Sequence, residues 1–577
     1  MSFKLCYIWI DKFRNFENFG VNFSSSEKFD FDSDNLSLNK TEVNNVPDDF
    51  FGKDISEVTG FIGKNGTGKS NLLELVCKLV KGGETSVKSD FFIIIENEGE
   101  YECHYRFRDP QEIRSHFPIL LKEYKSDIDN LKVIYFSNVF DERTHAFDKK
   151  VSDLSANNRY PKHNWPSKTK TSDFVKQLQF IKGDLFIDSE IPLPKQLTIT
   201  PRTNIYSASY WTQSFISNNT LNEFFSNELK SFYTGVKSLK ASRQKLYYFF
   251  IFSVITDLIS LLKDFSGQNE TFDSKVEYHI DNLLAKTEEI KNTYKSKLNI
   301  AETWKEWSFK ILSEFYKDYF KYNIKNKRKY PELETLQDNL LMLVKFEEFI
   351  ENKEMLSTLE GSRNRKTDNY ILEFHISTSK LDEQFYNFID KSNRFKIDWL
   401  GLSSGHKAYL NLFSLLRFEL KNIKADNVLI CIDEGDLYLH PKWQADFFYK
   451  LVNLVPKFKS ANYQFILTSH SPFLVSDLPK ENLVFLGGDS ENYSSIIRTD
   501  DSIKTFGGNL GELYVDAFFM EGGLISRFAA NKIQEIVNKI NDNVDISIDD
   551  RKLIDLIGED LIRIQINNLL NDPNRRK

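Results

Sequence analysis

Gly63-Lys64-Asn65-Gly66-Thr67-Gly68-Lys69-Ser70 decides how this chain is read. The stretch fills every position of the G-x-x-x-x-G-K-[ST] phosphate-binding loop. Val58-Thr59-Gly60-Phe61-Ile62 before it is apolar enough for a buried strand, and Asn71-Leu72-Leu73-Glu74-Leu75-Val76 after it has a helical pattern. Strand, loop and helix is the order that such a loop needs. Its glycines let backbone N–H groups wrap a β-phosphate, and the helix N-terminus adds positive dipole character. Lys69 is placed to reach β/γ oxygens, and Ser70 to hold Mg²⁺, with Asn71 following. The stretch predicts binding of a nucleoside triphosphate.

A second set of elements lies far downstream. Val428-Leu429-Ile430-Cys431-Ile432 is a continuous apolar run ending in Asp433-Glu434. A buried strand that delivers two carboxylates at its end fits the Walker B arrangement, with Asp433 toward Mg²⁺ and Glu434 polarising an attacking water. On its own, a core strand followed by an acidic turn would explain the run equally well. Phe465-Ile466-Leu467-Thr468-Ser469-His470 repeats the design, and its distance from Asp433 leaves room for one helix and one strand. That spacing would set His470 beside a γ-phosphate. Leu402-Ser403-Ser404-Gly405-His406 precedes a helical pattern from Lys407 to Leu420, which makes another anion-ready helix start or an ordinary N-cap.

In this order the elements resemble the ABC-type ATPase superfamily: Walker A, signature, Walker B with its adjoining Glu, then a switch histidine. The resemblance implies ATP and Mg²⁺ as cofactors, with Lys69, Ser70, Asp433, Glu434 and His470 acting in cis. Ser403 and Gly405 would contact the ATP held by a second protomer, so a homodimer closed around two nucleotides is implied. Ser404 and His406 depart from the usual L-S-G-G-Q signature. No clear Q-loop is present, and Asn138, after Val133-Ile134-Tyr135-Phe136, is the weak candidate for that extra metal contact.

Lys69 and Ser403 are too widely separated for a compact transporter-type ATPase. Leu5–Ile10 followed by Lys12-Phe13-Arg14-Asn15-Phe16 resembles the opening of RecF- and SMC-like ATPases, which carry large insertions at this point. Leu439-His440-Pro441 and Thr468-Ser469-His470-Ser471-Pro472 match their bacterial single-chain relatives. The implied fold is α/β: an ABC-type head, its P-loop sheet joined by antiparallel N-terminal strands, interrupted by a large helical insertion and ending in a helical C-terminus. The expected domains are 1–156, an N-terminal ATPase lobe; 157–369, the insertion; 370–500, a C-terminal ATPase lobe; and 501–577, a helical docking region. Leu221–Leu239, Lys245–Leu262, Val276–Leu298, Trp304–Tyr322 and Leu333–Ser357 read as the insertion's helices. They lack sustained heptads, so a packed helical domain is expected, with a short arm as the alternative. Lys325-Asn326-Lys327-Arg328-Lys329 is a small basic loop.

Thr505-Phe506-Gly507-Gly508-Asn509-Leu510-Gly511-Glu512-Leu513, then Asp516-Ala517-Phe518-Phe519, resembles a segment of ATPases from bacterial antiphage systems. These include the Septu ATPase and its retron-associated relatives. The resemblance implies a separate HNH nuclease as partner and, for the retron kind, a reverse transcriptase with its RNA-linked DNA. Leu524–Ile540 and Arg551–Leu570 read as tail helices. Asp500-Asp501 and Asp549-Asp550 do not end apolar strands, so the nuclease is expected in a partner and not in this chain.

Bulk properties limit the alternatives. At 577 residues several domains are expected, since single cores stop growing near ~250–300 residues. A net charge of −7 supplies no global field toward nucleic acid, which weighs against a RecF-like repair ATPase acting directly on DNA. Cys6, Cys77, Cys103 and Cys431 are scattered without C-x-x-C spacing, which predicts a reduced, cytoplasmic setting without structural zinc. The apolar run Leu246–Leu262 is interrupted by Asp257, so no membrane span is expected.

Overall fold

The computed structural model describes residues 3–43, 45–81, 87–107, 113–125, 128–143, 145–159, 172–201, 236, 244–253, 355–360, 367–376, 380–391, 395–488, 493–497, 504–517, 525–542 and 544–571. The chain divides into two compact units. The first comprises Met1–Asp129, Leu429–Glu434 and Gln464–Lys577; the second comprises Asn130–Val428 and Gly435–Tyr463.

In the first unit the N-terminal strand Phe3–Phe13 pairs antiparallel with Phe16–Asn22 on one side and Phe91–Asn97 on the other. Glu100–Arg106 and Leu120–Glu123 continue this sheet. Its apolar face, with Tyr7, Trp9, Phe92 and Ile94, packs on Phe29 and Leu38 from the small sheet of Glu27–Asp32 and Ser37–Glu42. Trp9 stacks on Phe92 with centroids 5.8 Å apart. The antiparallel N-terminal strands thus agree with the sequence reading.

The phosphate-loop strand, Ile55–Gly63, is buried along almost its whole length. Such strands read as continuous apolar runs because both faces are covered. It runs parallel to Leu483–Gly488, which pairs antiparallel with the short strand Ser494–Ile496. On its other side come Asn462–Thr468 and then Asn427–Asp433, the apolar strand that ends in the two carboxylates. The helix Lys69–Lys81 buries Leu72, Leu73, Leu75, Val76, Leu79 and Val80 at the spacing of a core-facing helix.

The second unit holds a parallel pair, Leu131–Ser137 with Val151–Asp153. It also holds a four-stranded antiparallel sheet in the order Met355–Glu360, Thr367–Glu373, Gln196–Pro201, Phe395–Leu400. Trp399 of this sheet packs against Phe174 at 4.7 Å and Phe374 at 5.0 Å. Gln196–Pro201 and Met355–Glu360 lie inside the stretch read as a helical insertion, and they are strands. Of the expected helix Leu333–Ser357, the last three residues, from Met355, are strand, and the rest lies outside the described residues. Six-residue strands offer too few positions for a period-two pattern to stand out beside helical neighbours. Their pairing partners lie far away in sequence.

Of the other expected insertion helices, residues 244–253 are helical, in line with Lys245–Leu262, and Val236 within Leu221–Leu239 is helical. Val276–Leu298, Trp304–Tyr322 and the basic loop 325–329 lie outside the described residues. In the tail, Leu524–Ile540 corresponds to the helix Arg527–Asn541. Arg551–Leu570 is two helices, Ile548–Asp555 and Asp560–Leu570, separated around Gly558. Asp550, one of the carboxylates considered above, closes a capping box with Ser547 at the start of the first. Among the described residues no helix is long and apolar enough to cross a membrane.

Candidate functional site: a phosphate loop braced by two distant strands

The first unit assembles the glycine-rich loop, the carboxylates of Asp433 and Glu434 and the imidazole of His470. Lys64, Asn65 and Gly66 form the exposed rim of the loop, while Thr67 and Lys69 are buried. Gly66 and Gly68 sit at φ +86° and +93°, a region that only glycine enters without strain. Gly63 is required for a different reason: a Cβ there would lie 2.4 Å from the carbonyl oxygen of Leu486.

Lys69 folds back over the loop. Its Nζ donates to the carbonyl oxygens of Gly63 at 2.8 Å and Lys64 at 3.2 Å. Burial pushes the ammonium pKa down to about 8, against the opposing pull of Glu434 and Asp433. A cation held dry on backbone carbonyls is ready to transfer to a better anionic partner.

Asp433, at the end of the Walker B strand, accepts at Oδ1 from Ser70 Oγ at 3.1 Å and from Thr468 Oγ1 at 2.7 Å. Thr468, the last residue of the neighbouring strand, holds the next residue as well. The backbone N–H of Glu434 donates to Thr468 O at 3.2 Å and to Thr468 Oγ1 at 3.1 Å. That support matters because Glu434 adopts φ +48°, a left-handed conformation costing a non-glycine residue roughly 1 kcal/mol. The turn aims the Glu434 carboxylate at His470, whose Nε2 lies 3.4 Å from Oε1. The hydrogen bond from His470 holds the carboxyl below the usual glutamate range, with burial opposing it. The pair therefore presents an ionised carboxylate, the protonation state a general base requires.

Two supports were not evident from the motifs. In the turn between the first two strands, Asn15 accepts at Oδ1 from Asn71 Nδ2 at 2.6 Å, and Asn71 Oδ1 accepts from Arg14 Nη1 at 2.7 Å. Arg14 also pairs with Glu74 at 2.8 Å, and Lys78 reaches Glu74 from one helical turn on, also at 2.8 Å. Asn71 thus spends its side chain anchoring the helix. Ser494 donates to the carbonyl oxygen of Thr67 at 2.6 Å. In sequence, Arg14 and Asn15 stand out only through the likeness of Lys12–Phe16 to RecF- and SMC-like openings, and nothing marks Ser494.

The remaining predicted residues belong to the second unit. Ser403 caps the helix Ser404–Lys421, its Oγ accepting from His406 N at 3.2 Å. Gly405 is buried under the segment after the Walker B turn, where a Cβ would lie 3.4 Å from Tyr438 O. His406 packs tilted against Trp443 with centroids 4.1 Å apart, and burial lowers its pKa. Asn138 follows the strand Leu131–Ser137, and its Nδ2 is buried with no hydrogen-bond partner among the described residues. Both signature residues and Asn138 are therefore outside the unit that carries the loop.

A family model described as an AAA ATPase domain matches residues 4–475. Over 130 residues the chain is 33% identical to the Septu protein PtuA of Bacillus thuringiensis, a match covering 21% of this chain and 32% of that protein. It is 31% identical over 162 residues to the retron Vc95 probable ATPase of Vibrio cholerae serotype O1 biovar El Tor, covering 23% and 30%. A third match, 30% identical over 119 residues, is the retron Ec83 probable ATPase of Escherichia coli, covering 19% and 21%. The chain spans about a third or less of each of these relatives.

Proposed function

The chain belongs to the AAA ATPase domain family, and on that premise we propose that it binds and hydrolyses ATP with Mg²⁺ to control a separate nuclease in antiphage defence. One observation carries the chemical part: Ser70, Asp433, Thr468, Glu434 and His470 are joined in a continuous chain of contacts beside the phosphate loop. Ser70 and Asp433 offer a hydroxyl and a carboxylate oxygen, the hard donors Mg²⁺ takes when phosphates complete its shell. Held there, the ion would supply charge neutralisation at the phosphates. Lys69 leaves the carbonyls of Gly63 and Lys64 for the β/γ oxygens, Glu434 orients and deprotonates water, and His470 holds Glu434 ionised.

Ser403 and Gly405 act on the nucleotide of a second copy, so ATP closes a homodimer in the manner of an ABC-type head. Asn138 would supply a further contact to the ion through its amide oxygen. The effector is an HNH-type nuclease, with a reverse transcriptase and RNA-linked DNA as further partners in a retron setting. The likeness to Septu and retron ATPases supports the defence role. Residues 501–577 are its docking region, a reading supported by the exposed Phe528, Ile548, Leu556 and Leu561.

The test compares wild type with Glu434→Gln. The variant is expected to keep ATP and lose turnover by roughly 10²–10⁴-fold. Each form is also purified from its host with whatever accompanies it. Normal hydrolysis by the variant would remove Glu434 as the base. Recovery of repair factors and DNA in place of a nuclease would remove the defence role.

A further inference from the structure

Ser494 belongs to none of the quoted motifs and lies far from the phosphate loop in sequence, yet it is buried against that loop. It opens the short strand Ser494–Ile496. Its hydroxyl donates to Thr67 O at 2.6 Å and accepts from Asn15 Nδ2, while its backbone N–H donates to Asn15 O at 2.8 Å. Asn15 in turn holds Asn71. Ser494, Asn15 and Asn71 thus bracket the stretch from Thr67 to the first turn of the helix, touching it at both ends.

The Thr67 carbonyl belongs to the same peptide plane as the Gly68 N–H. In a trans peptide the two groups point in opposite directions. Fixing the oxygen on Ser494 therefore fixes the direction in which the Gly68 N–H is offered. A peptide that precedes a glycine at φ +93° has little steric resistance to turning over, because Gly68 has no Cβ to oppose it. The loop needs an external restraint at this bond, and Ser494 provides it. The fit is close: a Cβ on Gly68 would come within 2.3 Å of Asn15 Nδ2 and 2.9 Å of Ser494 Oγ.

We infer that Ser494 is a positioning residue for the phosphate loop, holding the Thr67–Gly68 peptide so that the Gly68 N–H faces the bound phosphate. The inference rests on the ATPase reading above and adds a residue to its site. Phosphate is bound in both ground and transition states, so loss of the restraint acts on binding.

The experiment measures KM and kcat for MgATP, with ATP Kd by calorimetry, in full-length wild type, Ser494→Ala and Ser494→Thr. S494A is expected to weaken binding about tenfold, the scale of one buried hydrogen bond, with kcat changing by less than about twofold. S494T keeps the hydroxyl on a strand position that tolerates β-branching, and should restore Kd to within about threefold of wild type. Unchanged KM and Kd in S494A, a loss confined to kcat, or a folded S494T as weak as S494A would overturn the assignment. Loss of the S494A melting transition would make the residue structural and overturn it too. A wild type that binds ATP without turnover would sink hydrolysis alone, and the comparison would then be read on Kd.

Discussion

His470 Nε2 and Glu434 Oε1 stand 3.4 Å apart at the ends of two separate stretches of chain. Thr468 connects them through the main chain, because it holds the N–H of Glu434 two residues before His470. The same hydroxyl donates to Asp433. A single strand end therefore orients Asp433, the left-handed turn and the Glu434 carboxylate.

The first prediction concerns the acid side of the pH profile. The hydrogen bond from His470 lowers the Glu434 pKa, with burial acting against it. Because the folded-state pKa is depressed, the stabilising interaction is present above the usual glutamate pKa and is lost as pH falls through the folded value. His470→Ala leaves burial unopposed by that bond, so the acid limb of turnover should move to higher pH. At neutral pH turnover should fall by roughly 10–100-fold, the scale of a hydrogen bond to a charged group. Turnover measured from pH 4 to pH 8 checks this, and an unmoved acid limb would exclude the coupling.

A second prediction follows from Lys69. Burial holds its pKa down at about 8, below the ordinary lysine value of 10.5. The folded, nucleotide-free chain therefore binds fewer protons than the unfolded chain between these values, and Lys69 makes stability rise with pH across that window. Below pH 8 its full cost is present. Phosphate oxygens favour the charged ammonium, so ATP binding should take up protons at pH 9 and almost none at pH 6.5. Calorimetry in buffers of different ionisation enthalpy measures the uptake directly. Equal uptake at both pH values would contradict a dry, depressed lysine.

Third, Thr468→Val keeps the shape of a side chain only 2% exposed and removes its hydroxyl. Asp433 loses a donor at 2.7 Å, and the Glu434 N–H keeps its bond to the Thr468 carbonyl. Residues that orient ligands from behind typically contribute 10–100-fold to metal affinity or activity. The variant should need roughly tenfold more Mg²⁺ for half-maximal turnover and lose about 1–3 kcal/mol of stability. Magnesium titration and urea unfolding check the two parts separately.

Much of the site was legible because its chemistry is local. Gly66, Gly68, Lys69 and Ser70 must lie within a few residues of one another to form one loop, so a short motif identifies them. Asp433-Glu434 and Thr468-Ser469-His470 each follow an apolar run long enough to announce a buried strand. The strands within 157–369 were not legible, since Gln196–Pro201 finds its partners Thr367–Glu373 and Phe395–Leu400 only across long separations. The tail break was missed for a local reason: apolar spacing continues through 551–570 while Gly558 interrupts the helix.

What the sequence determined by itself is the phosphate loop, the strands that carry the carboxylates and the histidine, and the helix that follows the loop. These depend on backbone conformation and on the periodicity of burial, both written in neighbouring residues. Only the tertiary structure decided what holds that loop in shape. Asn15, Asn71 and Ser494 carry no common pattern, and the hydrogen bonds that join them to one another and to the Thr67 carbonyl require just that these positions converge in space. Convergence is set by sheet order, with the strands Ile55–Gly63, Leu483–Gly488 and Ser494–Ile496 lying side by side, and no local signal encodes it.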